Sequence, residues 1–170
     1  MKTSIKLLIF VAGFALIYLV VGLTLFRQEV QRARNIENKN FKTVPVGKFS
    51  KIKCSSNWDI RIRQGLKYEV KLGSTQTAKL KPNITLKNGT LHMTIPSADA
   101  TILQARVTVP AFVLKNIEAT GNSRVRLRGY QSDTLYVMMK DKSVFTVKGN
   151  KVSQLDVKTS GNAQIKLSSK

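Results

Sequence analysis

The sequence predicts an all-β fold: a β-helix or β-solenoid with turns of about 20 residues, preceded by one N-terminal transmembrane helix. Three observations predict it. From Phe41 onward apolar residues recur with period 2, as in Ile60-Arg61-Ile62-Arg63 and Val125-Arg126-Leu127-Arg128. That alternation makes strands with one buried and one wet face. A register of 20 residues then aligns Ile117 with Val137 and Val157, Val125 with Phe145 and Ile165, and Leu127 with Val147 and Leu167. Ser123, Ser143 and Ala163 form a small-residue column, and Gly121, Asp141 and Gly161 share a turn position. A fixed period of this length is the mark of a stacked repeat. Finally, Leu7 to Phe26 is a run of 20 residues without a charge. At 1.5 Å per residue it would span about 30 Å, a bilayer core.

Taken in order, residues 1–26 read as a signal anchor, with Lys2 and Lys6 before the apolar run and Arg27, Arg32 and Arg34 after it. A cleaved signal peptide, releasing a secreted domain, is the alternative. Such peptides have shorter apolar cores and a small-x-small site, which Gly22-Leu23-Thr24 imitates poorly. No Cys follows the run to carry a lipoprotein anchor. Counting flanking Lys and Arg alone slightly favours a cytoplasmic C-terminal domain. Residues 27–40, polar and without Pro or Gly, read as a basic linker or a helical extension, and 41–170 as the folded domain.

Within that domain Tyr68 to Leu72 and Thr90 to Ile95 read as longer strands around the Asn88-Gly89 turn. Other turns fall at Gly121-Asn122, Gly149-Asn150 and Gly161-Asn162. The stretch from Ile52 to Arg63 repeats the pattern of Ile117 to Arg128, so Asn57 matches Asn122. That offset is 65 residues, not a multiple of 20, and makes the middle irregular. Each unit carries two short strands, such as Leu135 to Met139 and Ser143 to Val147, which bury their apolar faces only by stacking.

These motifs resemble a known family. Asn88-Gly89-Thr90-Leu91, Val107-Thr108-Val109-Pro110 and the three turn repeats look like the head GIN domain of putative auto-transporter adhesins, a bacterial family. The likeness covers about residues 46–168. It implies an extracytoplasmic, non-enzymatic β-helical domain, which places the C-terminal domain on the periplasmic side, against the flanking-charge count.

Composition narrows the function further. Lys and Arg total 29 against nine Asp and Glu, a net charge of +20. Such a surplus suits anionic partners. One His (His92) and one Cys (Cys54) cannot build a zinc site or an internal disulfide. Asp133, Asp141 and Asp156 fall in different columns and form no catalytic pair, so the reading is a non-enzyme without cofactor or metal. Alternation points Arg61, Arg63, Arg124, Arg126 and Arg128 outward, and the repeat stacks Lys166 with Arg126 and Lys148 with Arg128. These seven residues are the candidate polyanion-binding ladder, facing an anionic envelope glycan or lipid. The competing reading is a solvated face that guards against aggregation. Nucleic acid is disfavoured, because no aromatic stacking set is interleaved with the arginines.

The last turn leaves an open edge. Lys166 and Lys170 cap it by charge, or it pairs with a second copy. It could also dock an envelope protein, making the chain a membrane-tethered regulatory or scaffolding partner. Cys54 reads as a small buried hydrophobe, His92 as a surface residue, and Trp58 as an end cap or linker contact. Asn83-Ile84-Thr85 and Asn88-Gly89-Thr90 match glycosylation acceptors by chance.

Overall fold

A computed structural model describes residues 18, 22–24, 27, 41–73, 82–96 and 102–168. The chain divides into two units, Met1–Asn40 and Phe41–Lys170. The Leu7 to Phe26 run lies mostly outside the described residues, and the linker at 28–40 wholly so. No helix among the described residues is long and apolar enough to cross a membrane, so the expected transmembrane helix is not supported.

Among the described residues, the regular elements of the second unit are all strands. In chain order these are β1 (Phe41–Val44), β2 (Lys51–Ser55), β3 (Trp58–Gln64), β4 (Glu69–Gly73), β5 (Asn83–Lys87), β6 (Thr90–Thr94), β7 (Leu103–Val109), β8 (Asn116–Ala119), β9 (Arg124–Arg128), β10 (Gln131–Met139), β11 (Val144–Lys148), β12 (Lys151–Thr159) and β13 (Gln164–Ser168). They form a seven-stranded sheet, β1-β4-β7-β3-β9-β11-β13, and a six-stranded sheet, β12-β10-β8-β2-β6-β5.

Both sheets are mixed and open, and this overturns the expected β-solenoid. The 20-residue register holds only from β8 to β13. There the chain alternates between the sheets, and from β10 onward each strand pairs in parallel with the one two steps earlier. Ahead of it, β4 lies antiparallel to both β1 and β7, and β5 antiparallel to β6. Tyr68 to Leu72 and Thr90 to Ile95 do not flank one turn, because Asn88-Gly89 joins β5 to β6. Both turn residues have positive φ (48° and 68°), the requirement of a tight hairpin whose twist matches its strands.

The register itself is realised as ladders. Val137 pairs with Ile117 and Val157, and Phe145 with Val125 and Ile165. The 65-residue offset is a ladder too, pairing Ile60 with Val125 and Ile52 with Ile117. It also sets the turns. Ser56, Gly121, Asp141 and Gly161 occupy equivalent corners, and all four have left-handed backbones. Gly121 is held to glycine twice over: its φ is 74°, and a Cβ would come within 3.0 Å of the Ser56 carbonyl oxygen.

The inward faces of both sheets share one core, including Ile52, Cys54, Ile60, Ile62, Leu91, Val125, Leu127 and Phe145. Cys54 is fully buried, and burial pushes its thiol from 9.0 up to about 12, leaving it inert. Trp58 is fully buried as well, which corrects its reading as an end cap or linker contact. Its β3 neighbours Ile60 and Ile62 point the same way, so the ring joins the core.

One polar knot ties the second set of corners. The Leu114 N–H donates to the buried Tyr130 hydroxyl (2.7 Å), which donates to the Pro110 carbonyl (3.1 Å). Asn150 sits one repeat beyond Tyr130. Its Oδ1 accepts from the Tyr130 N–H (2.6 Å), and its Nδ2 donates to the Leu127 carbonyl (3.0 Å).

Tyr130→Phe strands the Leu114 N–H and should cost about 1–3 kcal/mol, read as a lower urea midpoint. The tyrosine and the thiol also set an alkaline limit. Burial raises both acids above their unfolded values of 10.0 and 9.0, so the unfolded chain ionises first. Their stabilisation is complete below pH 9 and is lost as pH climbs above it. The urea midpoint should fall from that pH upward, and Cys54→Ala should flatten the first part of the fall.

Candidate functional site

The outward face of the seven-stranded sheet is built by alternation. On β3 the inward residues are Trp58, Ile60 and Ile62, which leaves Asp59, Arg61 and Arg63 outside. On β9 the outward residues are Arg124, Arg126 and Arg128; on β11 they end at Lys148, and on β13 they include Lys166.

Strand register converts these alternations into two rows. In one, Lys71, Arg106, Arg61 and Arg126 stand directly opposite one another on β4, β7, β3 and β9. Thr146 then separates Arg126 from Lys166, so those two cations do not touch as the sequence implied. In the other row Arg63, Arg128 and Lys148 occupy adjacent strands. Neighbouring strands are about 4.8 Å apart, so like charges here repel. Arg124 begins a third row beside Asp59.

The two rows differ in how their charge is balanced. Arg126 donates through Nη2 to Asp59 Oδ2 at 2.7 Å, with Asp59 almost buried and Arg126 a quarter exposed. Lys71 lies 3.1 Å from Glu69, and that contact holds the Glu69 carboxyl below its usual range. Arg106 stacks on the Phe41 ring, 4.0 Å from its centroid, a cation–π contact. The first row is thus knitted into the sheet. Arg63, Arg128 and Lys148 are all exposed, and Thr108 separates Arg63 from Glu69.

All seven residues of the expected ladder therefore reach one face. The sequence reading omitted Lys71 and Arg106, which extend it. The parallel β3–β7 register places Arg106 and the antiparallel β4–β7 register places Lys71, and no repeat announces either.

The six-stranded sheet is electrically mixed. Glu118 on β8 contacts Lys53 on β2 at 3.2 Å and Lys140 at 3.8 Å. His92 lies on its outer face, half-buried, in register with Lys53. Among the described residues no group of His, Cys, Asp or Glu could hold a metal ion.

The described strands thus form two open sheets around a shared core, one of them with a cationic outer face. The chain belongs to the family described as "Putative auto-transporter adhesin, head GIN domain", whose model matches residues 48–170. Solved structures of the same fold include a "putative adhesin" from Parabacteroides distasonis, with TM-score 0.55 and 20% identity, covering 75% of this chain and 55% of that one. A second, a "putative adhesin" from Parabacteroides merdae, has TM-score 0.52, 20% identity and the same coverages. This chain spans little more than half the length of those two structures. No curated protein matches the chain. The family and both neighbours are described as adhesins, not as enzymes.

The Asp59–Arg126 pair gives the face a built-in restraint that can be lifted. Asp59→Asn should cost about 1–3 kcal/mol, because it removes the acid partner of a half-buried charge. The same change should raise the salt needed to elute the protein from a sulfated-polysaccharide column. Earlier elution would show that Asp59 does not hold Arg126 back from anions.

Proposed function

We propose that the chain is an adhesin head module at the cell surface or in the envelope, and that its seven-stranded sheet docks an acidic polymer of the envelope. The observation that carries this reading is the exposed row Arg63, Arg128 and Lys148 on three adjacent strands. Packing three cations about 4.8 Å apart costs folding stability unless anions lie against them. A chain bearing carboxylate, sulfate or phosphate groups along its length supplies those anions in a matching line. The row of Arg61 and Arg126, which ends in Lys166, runs parallel to it, and Arg124 lies beyond that second row. The net charge of +20 draws such a polymer in from a distance.

A second reading has its own observation. β12 and β13 are the outermost strands at one side of both sheets, and Leu167 on β13 is 71% exposed although its column faces the core. An edge that is unpaired among the described residues, and carries an apolar row, can accept a strand from an envelope protein or a second copy.

The triple change Arg63→Ser, Arg128→Ser and Lys148→Ser separates the two. Under the first reading it lowers the salt needed for elution from an acidic polysaccharide. It also reduces the slope of log affinity against log salt by roughly two to three units. The urea midpoint should hold or rise, since like charges are removed. Parallel measurements with anionic phospholipid vesicles tell a polymer from a lipid surface. Unchanged retention sinks the docking face. A stoichiometric protein complex that survives the triple change and breaks with Leu167→Glu would install the edge reading instead.

A further inference from the structure

The outer face of the six-stranded sheet carries a hollow that neither the charge ladder nor the edge explains. Its volume is about 190 Å³, and it is lined by Asn116, Tyr136, Val137, Met138, Asp156 and Lys158. The Val137 side chain points into the core, so only its backbone can form the floor. Tyr136 and Met138 stand on either side of that floor along β10. Register puts Asn116 on β8 and Asp156 on β12 directly opposite Tyr136, one to each side. Lys158 stands opposite Met138.

From this arrangement we infer that the hollow is a sugar subsite, taking one neutral pyranose ring of a glycan against Tyr136. Four features select that ligand. Tyr136 is 48% exposed, and the negative π-face of its ring suits the weakly positive C–H face of a pyranose. The flanking side chains offer both an acceptor (Asp156) and donors (Asn116 and Lys158), as a ring of hydroxyls requires. Among the described residues none of these three side chains is engaged in an ion pair or hydrogen bond, so all are available. The size also fits: pockets for drug-sized ligands run to roughly 300–1,000 Å³, and this one is below that range. An anionic sugar is disfavoured, because the Asp156 carboxylate would face it. A purely apolar ligand would leave the Asp, Lys and Asn groups without exchange for the water they lose.

The site lies on a different sheet from the cationic row and works by different physics. Its binding is therefore insensitive to salt, and that independence makes it testable whether or not the docking face holds. Saturation-transfer NMR on the full chain would use methyl glucoside, methyl galactoside, methyl mannoside and N-acetylglucosamine. Salt would be about 1 M, where the screening length is about 3 Å. Transfer to the ring protons of at least one sugar is expected. Tyr136→Ala should weaken it by roughly threefold to tenfold, whereas Tyr136→Phe should keep it. Asp156→Asn should weaken it too, and the Arg63, Arg128 and Lys148 triple variant should leave it intact. Tyr136 and Asp156 lie on the outer face, so circular dichroism of both variants should match the parent. No transfer with any of the four sugars overturns the inference. So does transfer that survives Tyr136→Ala, or transfer that disappears in the triple variant.

Discussion

Parallel pairing in strict register is the constraint on which the rest of this structure depends. When strands repeat every 20 residues and stack without offset, every position meets its own kind above and below. Inside, the rule is favourable: Val125 meets Phe145, and Leu127 meets Val147. Each apolar column closes over the next and excludes water. Outside, the same rule puts Arg128 against Lys148 and Arg61 against Arg126. The fold cannot have its core columns without its surface columns. A basic residue placed at one outward position becomes a neighbour of any basic residue at the same position on the adjacent strands.

Stacking also fixes the corners. A chain that alternates between two sheets must reverse within a few residues, and it does so through left-handed backbone at equivalent positions in successive units. Glycine meets that demand at Gly121 and Gly161, while Asp141 and Ser56 meet it with a side chain. At Asp141 the side chain is used: its Oδ2 accepts from the Gly121 N–H at 2.9 Å and fastens one corner to the next. Asn150 does the same work at the other set of corners. The corners are therefore linked by side chains as well as by the strand ladders. In this way the two sheets hold together without a helix or a disulfide among the described residues of the second unit.

The sequence showed the columns because they recur at a fixed spacing, and a repeat is visible without coordinates. It showed the cationic face for the same reason. It hid whatever occurs once. β5 has no partner motif elsewhere in the chain. The antiparallel pairing of β1 and β4 rests on contacts distant in sequence, and those strands make the sheets mixed instead of a continuing coil. The Asp59–Arg126 contact was closer to legible, since the 65-residue offset already set Asp59 beside Arg124, one step from Arg126. What alternation could not show was that the guanidinium reaches across to the carboxylate. Trp58 failed for another reason. By the 65-residue offset it matched Ser123, in a column of small residues, and matching gave no hint that an indole would be fully buried there. Tyr136 drew no notice because one outward aromatic on a strand is ordinary until its two neighbours are known.

Under the two proposals, the outer faces divide the physics of recognition between them. Charges on the seven-stranded sheet act over a Debye length, about 8 Å at physiological salt, and respond to any dense anion. Such a field raises encounter rate and sets orientation, but it discriminates weakly among polymers of similar charge. The six-stranded sheet mixes charges of both signs, with Glu118 against Lys53 and Lys140. What it offers is contact chemistry: one exposed ring, one acid, one amide and one ammonium group around a shallow floor. A surface polymer rich in acidic groups and interspersed with neutral sugars would engage the two faces by different means. Weak contacts on separate faces become strong together only when one polymer, or one surface, can reach both. Avidity of that kind needs no deep pocket, and it fits a head domain built as two open sheets.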